Sequence, residues 1–330
     1  MIDLVYLADA AWAGPAAVSA ASARMLAKRP EEIRLHVIAP DAAAFRHAWA
    51  AAHEGQPPPC DVREWRPAAE PTPTHGGAAG APWHGTRLVW ARLAFDEIFP
   101  ELDWIVSCDA DTLWLDDPAA LWALRDERLL IQASADPPAA GGGPMPHHAW
   151  WAANGLELPP ERCYCCGLML MNLARMRATT PSFASVCRDF LATHPDPPMR
   201  EQTVLCWAAR AASAPLPAEW GVFSFWHVSV PHPRLIHYVE DLPWRRRKIN
   251  RLMSDAVMLW WDFAESAGIR LPEAGHRGCR SRFDYLWRRA IFLALRPFAG
   301  VIDAIPSLKP HLRNARGLDR ATFRPKGVPS

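Results

Sequence analysis

Apolar residues in this chain fall into short runs that alternate with segments of helical spacing through the first two thirds of its length. Residues 2 to 7 (Ile-Asp-Leu-Val-Tyr-Leu) and 33 to 39 (Ile-Arg-Leu-His-Val-Ile-Ala) read as strands. The Ala-rich stretch from Ala16 to Lys28 between them reads as an amphipathic helix, which makes a βαβ opening. From 55 to 85, Pro57-Pro-Pro59, Pro71-Thr-Pro73 and Gly76-Gly-Ala-Ala-Gly80 break any regular pattern. They predict an irregular connection, interrupted at most by a short strand near Asp61 to Trp65. Helical spacing returns over 88 to 99, a strand then ends at Asp109, and Leu129 to Ala133 and Gly167 to Leu173 are further runs of strand length. This order predicts an α/β fold: a mainly parallel, Rossmann-like sheet flanked by helices, with ligands at the carboxyl ends of its strands.

Composition narrows the class. A chain of 330 residues suits one main domain with an appendage. Half of the residues are hydrophobic and the formal charge is +1, a globular balance with no global nucleic-acid signature. The apolar runs are shorter than a membrane span, and Met1-Ile-Asp-Leu-Val-Tyr-Leu reads as a first strand, not a leader, so a cytoplasmic protein is expected. The eight cysteines are irregularly spaced and read as reduced thiols. Cys163, Cys165 and Cys166 lack the CxxC pairs that a zinc site would bring.

The candidate chemistry gathers around Asp109-Ala110-Asp111. In an extended segment side chains at i and i+2 share a side, so a strand ending here would aim both carboxylates at one hard divalent cation, and such cations hold phosphates. An Asp-x-Asp triplet alone is a weak motif. Asp9 lies at the end of the first strand in the same way.

An ordered set of segments resembles glycosyltransferase family 8, a group of retaining enzymes with a GT-A-type fold. Leu4-Val-Tyr-Leu-Ala-Asp9-Ala-Ala-Trp12 is similar to the family's first strand, whose Asp meets uracil and which carries an aromatic three residues on. Trp90-Ala-Arg92-Leu93 resembles its Tyr-Ala-Arg-Leu, and Asp109-Ala110-Asp111 stands at its metal motif. Tyr164-Cys165-Cys166-Gly167 through Asn172-Leu173 resembles its Phe-Asn-Ala-Gly segment, and Glu201-Gln202-Thr-Val-Leu205 its Asp-Gln-Asp-x-Leu. Leu235-Ile-His237-Tyr238 followed by Pro243-Trp244 is similar to its His-Tyr-x-Gly-x-x-Lys-Pro-Trp. The resemblance covers about residues 2 to 245.

It implies a hexosyltransferase that moves galactose or glucose from a UDP-sugar to a saccharide or lipid-linked acceptor. Asp109, Asp111 and His237 would ligate the metal, with an imidazole suiting Mn²⁺ better than Mg²⁺. Arg92 offers a planar fork for a phosphate or sugar hydroxyl. Asp9 and Trp12 would meet the base, Ala110 and Cys165 would border the donor, and Glu201, Gln202 and Asp136 would hold the sugar near the reacting carbon.

The chain departs from the family in three places. The Gly-x-x-Lys phosphate clamp has no counterpart, since Val239-Glu240-Asp241-Leu242 follows Tyr238. Cys165 stands where the family keeps a sugar-binding Asn, and Ala11 where relatives often hold an Asn beside the base. The Arg245-Arg-Arg-Lys248 run offers positive charge nearby. The lost clamp motivates an alternative, a protein of the same fold that binds a nucleotide sugar without turning it over. A nucleotidyltransferase would want a Gly-rich basic loop after the first strand, and Ala10-Ala-Trp-Ala-Gly-Pro15 is not one. These boundaries give a domain at 1–245, a helical appendage at 246–306 and a basic tail at 307–330. Arg277 to Arg296 holds six arginines and one acid interleaved with aromatics, a composition suited either to an anionic membrane surface or to a packed terminal helix.

Overall fold

The computed structural model describes residues 1–66, 87–135, 146–156, 158, 162–223, 230, 232–239, 242–244 and 255–271, with 283, 286, 287, 290, 291 and 294. Its strands are β1 (Ile2–Leu7), β2 (Ile33–Ala39), β3 (Cys60–Glu64), β4 (Trp104–Cys108), β5 (Thr112–Trp114), β6 (Ile131–Ala135), β7 (Tyr164–Asn172), β8 (Ser213–Pro215), β9 (Trp220–Phe223) and β10 (Leu235–His237). The helices are α1 (Ala13–Leu26), α2 (Ala42–Ala52), α3 (Phe95–Ile98), α4 (Pro118–Trp122), α5 (Pro146–Ala153), α6 (Leu173–Ala178), α7 (Phe183–Thr193), α8 (Glu201–Ala208) and α9 (Asp255–Ser266).

Seven strands form one sheet in the order β3-β2-β1-β4-β7-β6-β8, and β5-β10-β9 form a second, smaller one. β3, β2, β1 and β4 run parallel, β7 is antiparallel to both of its neighbours, and β6 pairs β8 in parallel. The result is a parallel-dominated mixed sheet flanked by helices. Its central strands are buried on both faces, which is why they appear in sequence as nearly continuous apolar runs.

The two faces carry separate cores. Leu4, Tyr6, Val106 and Leu170 point to one, where the alanines of α1 let that helix lie close to the sheet. Val5, Ile105 and Met171 point to the other, with Phe95, Phe99, Phe183 and Phe190. Trp260, Phe263 and Ala264 of α9 join the first core, although α9 follows residue 245. The rest of 246–306 beyond 271, apart from the six positions named above, and all of 307–330 lie outside the described residues.

Local signals set the boundaries. Asp41 caps α2 by accepting the Ala44 N–H at 2.9 Å, and Asn172 ends β7 and caps α6 through the Arg175 N–H at 3.0 Å. Residues Leu88–Ala94, where helical spacing predicts a helix from 88 to 99, wind as a tighter 3₁₀ segment before α3. That winding accompanies the burial of Arg92, a charged residue that an exposed helix face would have left in water. Strands β5, β8, β9 and β10 are three or four residues long, too short to show a period in sequence.

Candidate active site

β4 runs between β1 and β7 and delivers Asp109 just past its carboxyl end, where the Asp109 N–H donates to the Gly167 carbonyl at 2.9 Å. Asp109-Ala110-Asp111 is a turn and not the extended segment that alternation suggests. Thr112 Oγ1 closes it by donating to the Asp109 carbonyl at 2.8 Å. The reason is topological: the chain leaves the large sheet at Cys108 and enters the small one at Thr112. β10 pairs antiparallel with β5, setting His237 opposite Thr112, and the Tyr238 N–H donates to the Asp111 carbonyl at 2.8 Å. A residue 126 positions downstream is thereby carried to the acidic turn. Beneath it Ser19 Oγ of α1 lies 2.8 Å from Thr112 Oγ1 and 3.2 Å from the Tyr6 hydroxyl, a buried chain of hydroxyls that ties the turn to α1 and β1.

His237 Nε2 lies 3.2 Å from Asp111 Oδ1 and 3.5 Å from Asp109 Oδ2. One ligand atom from each of the three residues lies within 4.8 Å of the others, and among the described residues this is the group of acidic, His or Cys side chains that converges in this way. Two carboxylates and an imidazole are a donor set that fits a divalent cation such as Mn²⁺. Burial alone would lower the His237 pKa, yet Asp111, Cys165 and Asp109 raise it well above the ordinary value: the pocket favours positive charge.

Arg92 is 2 % exposed and bridges the acids, donating from Nη1 to Glu201 Oε1 at 2.7 Å and from Nη2 to Asp109 Oδ1. Its pKa is raised because Asp109 and Glu201 outweigh the burial that would lower it. The Asp109 carboxyl is lowered: burial would raise it, and Arg92 and His237 overcome that. Burial leaves the Glu201 carboxyl raised despite Arg92. Arg92 Nε has no hydrogen-bond partner. A buried N–H of this kind is an open donor beside the carboxylates.

The imidazole of His237 is closely confined. A Cβ on Gly167 would fall 2.2 Å from its Cε1, so the ring fills space that only glycine leaves. The Phe223 ring sits tilted against it at 5.4 Å, and Cys165 Sγ lies 3.6 Å from Nδ1. None of these contacts follows from spacing, and Phe223 in particular sits in an unremarkable Trp-Gly-Val-Phe run. Gly167 does carry a signal, as a glycine inside a buried apolar strand.

The other candidates take several positions. Glu201 and Gln202 open α8, both buried, and Gln202 Oε1 accepts the Cys166 N–H at 3.4 Å. The residue before them, Arg200, holds a positive φ of 50°, a strained backbone that orients the start of the helix. Asp9 accepts the Trp12 N–H at 3.1 Å and so caps the turn that follows β1. Trp12 stands edge-on to Trp244, centroids 5.4 Å apart, and Trp244 leans on Trp260 at 5.1 Å. Ala110 is buried in the first core. Asp136, the pair Glu240 and Asp241, and Arg245 to Lys248 lie outside the described residues. The seven described cysteines are free, and burial pushes the Cys108 thiol up to about 12 and the Cys166 thiol well above its usual value.

Comparison with known proteins defines the class. In solved structures, the chain is similar to the galactosyltransferase LgtC in complex with donor and acceptor sugar analogs, with a TM-score of 0.62 and 20 % identity over 82 % of this chain and 98 % of that one. It is similar to mouse xyloside xylosyltransferase 1, with a TM-score of 0.53 and 17 % identity over 73 % of this chain and 99 % of that one. The glycosyltransferase GlyE of Streptococcus pneumoniae matches with a TM-score of 0.51 and 14 % identity over 80 % of this chain and 60 % of that one. These likenesses establish a GT-A-type fold. A search of curated protein sequences gives no match. The model of the family described as glycosyl transferase family 8 matches residues 3–248, and the chain belongs to that family.

Proposed function

We propose that the protein transfers a hexose, galactose or glucose, from a UDP-sugar to a saccharide or lipid-linked acceptor with retention of configuration. The observation that carries this reading is the convergence of Asp109, Asp111 and His237 at the carboxyl end of β4, beside the buried Arg92 and Glu201. Asp109, Asp111 and His237 would hold Mn²⁺, or Mg²⁺ less well, and the bound cation supplies positive charge to the departing diphosphate. Arg92, held by Asp109 and Glu201, sets its positive charge and guanidinium N–H groups beside the donor sugar or its phosphate. Glu201 and Gln202, with Asp136, hold hydroxyls near the anomeric carbon. Trp12 and Trp244 form the wall on which the base rests, Asp9 orients the loop below it, and Ala110 and Cys165 border the donor. The acceptor oxygen forms the new glycosidic bond on the face from which UDP departs as the anomeric C–O bond to the diphosphate breaks, and the acceptor's proton passes to the leaving diphosphate.

Phe283, Leu286 and Trp287 are 76, 54 and 60 % exposed, and their spacing places them on one helical side. With the arginines around them in sequence, they support peripheral contact of 277–296 with an anionic membrane at its cytoplasmic face. No helix among the described residues is long and apolar enough to cross a membrane.

The test is release of UDP from a panel of UDP-hexoses with and without Mn²⁺, run beside the thermal shift that UDP produces. Metal-dependent release from one donor supports the reading and names its sugar. Stabilisation by UDP with no release, even with acceptors supplied, would favour the binding-only alternative suggested by the missing lysine clamp.

A further inference from the structure

The ligand triad leaves one question of proton placement. A neutral imidazole carries a single N–H, so His237 can offer the Nε2 lone pair to a cation only if its proton sits on Nδ1. Nε2 is the nitrogen that faces Asp109 and Asp111. Nδ1 faces the opposite way, to Cys165 Sγ at 3.6 Å. A turn of the ring would not exchange the two nitrogens, since it swaps Nδ1 with Cδ2 and Nε2 with Cε1 and would face carbon to the carboxylates. Gly167 leaves room for the imidazole in this orientation, and Phe223 covers one side.

We propose that Cys165 is a positioning residue: its sulfur accepts the Nδ1–H of His237 and so fixes the tautomer whose Nε2 is free to ligate the divalent cation. The inference rests on the metal reading above and deepens it. Partners of this kind on the far nitrogen of a ligating histidine set ring orientation and tautomer together. A thiol is a weak acceptor compared with an amide oxygen, so its hold on the proton is loose and can be strengthened by substitution. Cys165 lies on β7 next to the break in register with β6, and its sulfur meets His237 of β10. The adjacent Cys166 is not interchangeable with it, since that thiol neighbours Arg92 and Glu201 instead.

The experiment is a Mn²⁺ titration at saturating UDP, followed by the electron paramagnetic resonance of free Mn²⁺, for wild type, Cys165→Val, Cys165→Asn and Asp111→Asn. Melting temperatures are recorded without metal. Valine fills the space and accepts nothing, and Mn²⁺ affinity should fall about ten-fold or more. Asparagine restores an acceptor, and affinity should return to within about three-fold of wild type or exceed it. Cys165→Ala serves in place of valine if the metal-free melting temperature collapses. Wild-type affinity in Cys165→Val, with binding lost in Asp111→Asn, would overturn the positioning role alone. Equal losses in the valine and asparagine variants would make Cys165 a packing residue and overturn it too. Unchanged binding in Asp111→Asn would remove the metal reading, and this inference with it.

Discussion

Two clusters among the described residues are built from two aspartates and a histidine, and they do different work. On β1, β2 and β3, His36 Nε2 lies 2.8 Å from Asp3 Oδ1 and Nδ1 lies 3.3 Å from Asp61 Oδ2. Each nitrogen has its own carboxylate, on opposite sides of the ring. Arg34 pairs with Asp3 at 2.7 Å, Arg63 pairs with Asp61 at 3.0 Å and with Glu101, and Phe99 covers His36 edge-on at 5.5 Å. Each carboxylate has an arginine or imidazole partner of its own, and no group is left aimed at a common point. At the carboxyl end of β4 both carboxylates face the same nitrogen of His237, and among the described residues the arginine bound there, Arg92, is shared with Glu201. Composition is the same in both clusters, and convergence separates them. Carboxylates that crowd one side of an imidazole make a place for a cation, whereas carboxylates that flank it make a strap between strands.

The comparison breaks most sharply at Asp111. Asp111→Asn should reduce Mn²⁺-dependent UDP binding about a hundred-fold or more, while the metal-free protein stays folded with a melting temperature lowered by loss of the His237–Asp111 ion pair. Isothermal titration with and without Mn²⁺ reads the first, and a thermal melt the second.

Gly167→Ala acts on the same cluster through packing. The new methyl, 2.2 Å from His237 Cε1, must push the ring off its carboxylates. Metal affinity should fall about ten- to a hundred-fold, at a stability cost of about 1–3 kcal/mol. A Mn²⁺ titration and a urea melt of the same preparation report both.

The β1–β3 cluster should respond in the opposite sense. Asp3→Asn keeps one of the two oxygens that serve His36 and Arg34, replaces the other with an NH₂ and removes the charge; it should cost about 1–3 kcal/mol of stability, with Mn²⁺-dependent UDP binding unchanged. A loss of metal binding in this variant would erase the distinction between the two clusters.

The smallest effect concerns acid. Burial raises the Asp3 carboxyl, but its hydrogen bonds with His36 and Arg34 and their charges bring it below the usual value. A carboxyl lowered in the folded state contributes stability that is complete above the ordinary carboxylate range and is lost as pH falls through the folded value. His36, Arg34, Asp61, Arg63 and Glu101 surround it. Urea midpoints should therefore fall less steeply below about pH 4 in Asp3→Asn than in wild type. Parallel curves would show that Asp3 contributes nothing to the acid limb.

Much of the candidate site was legible in the chain. Asp109, Asp111, Arg92, Glu201 and His237, each picked out by its segment, meet at one place. The turn at Ala110 was not legible, because alternation describes a continuing strand and the chain changes sheets here. Asp9 and Trp12 were placed beside each other, but the cap that joins them and the Trp244 edge against Trp12 depend on a segment more than 200 residues away. The His36 strap gave no signal at all, since Asp3, His36 and Asp61 read as isolated polar residues in three separate strands.

Periodicity and side-chain chemistry are local properties, and from them alone follow the alternation of strands and helices, the buried apolar centre of the sheet and the residue types able to hold a cation. Which nitrogen of which histidine faces which carboxylate is settled by packing in three dimensions. That choice is made by the pairing of β10 with β5, the space left at Gly167 and the position of Cys165, contacts between segments far apart in the chain whose register no local pattern encodes.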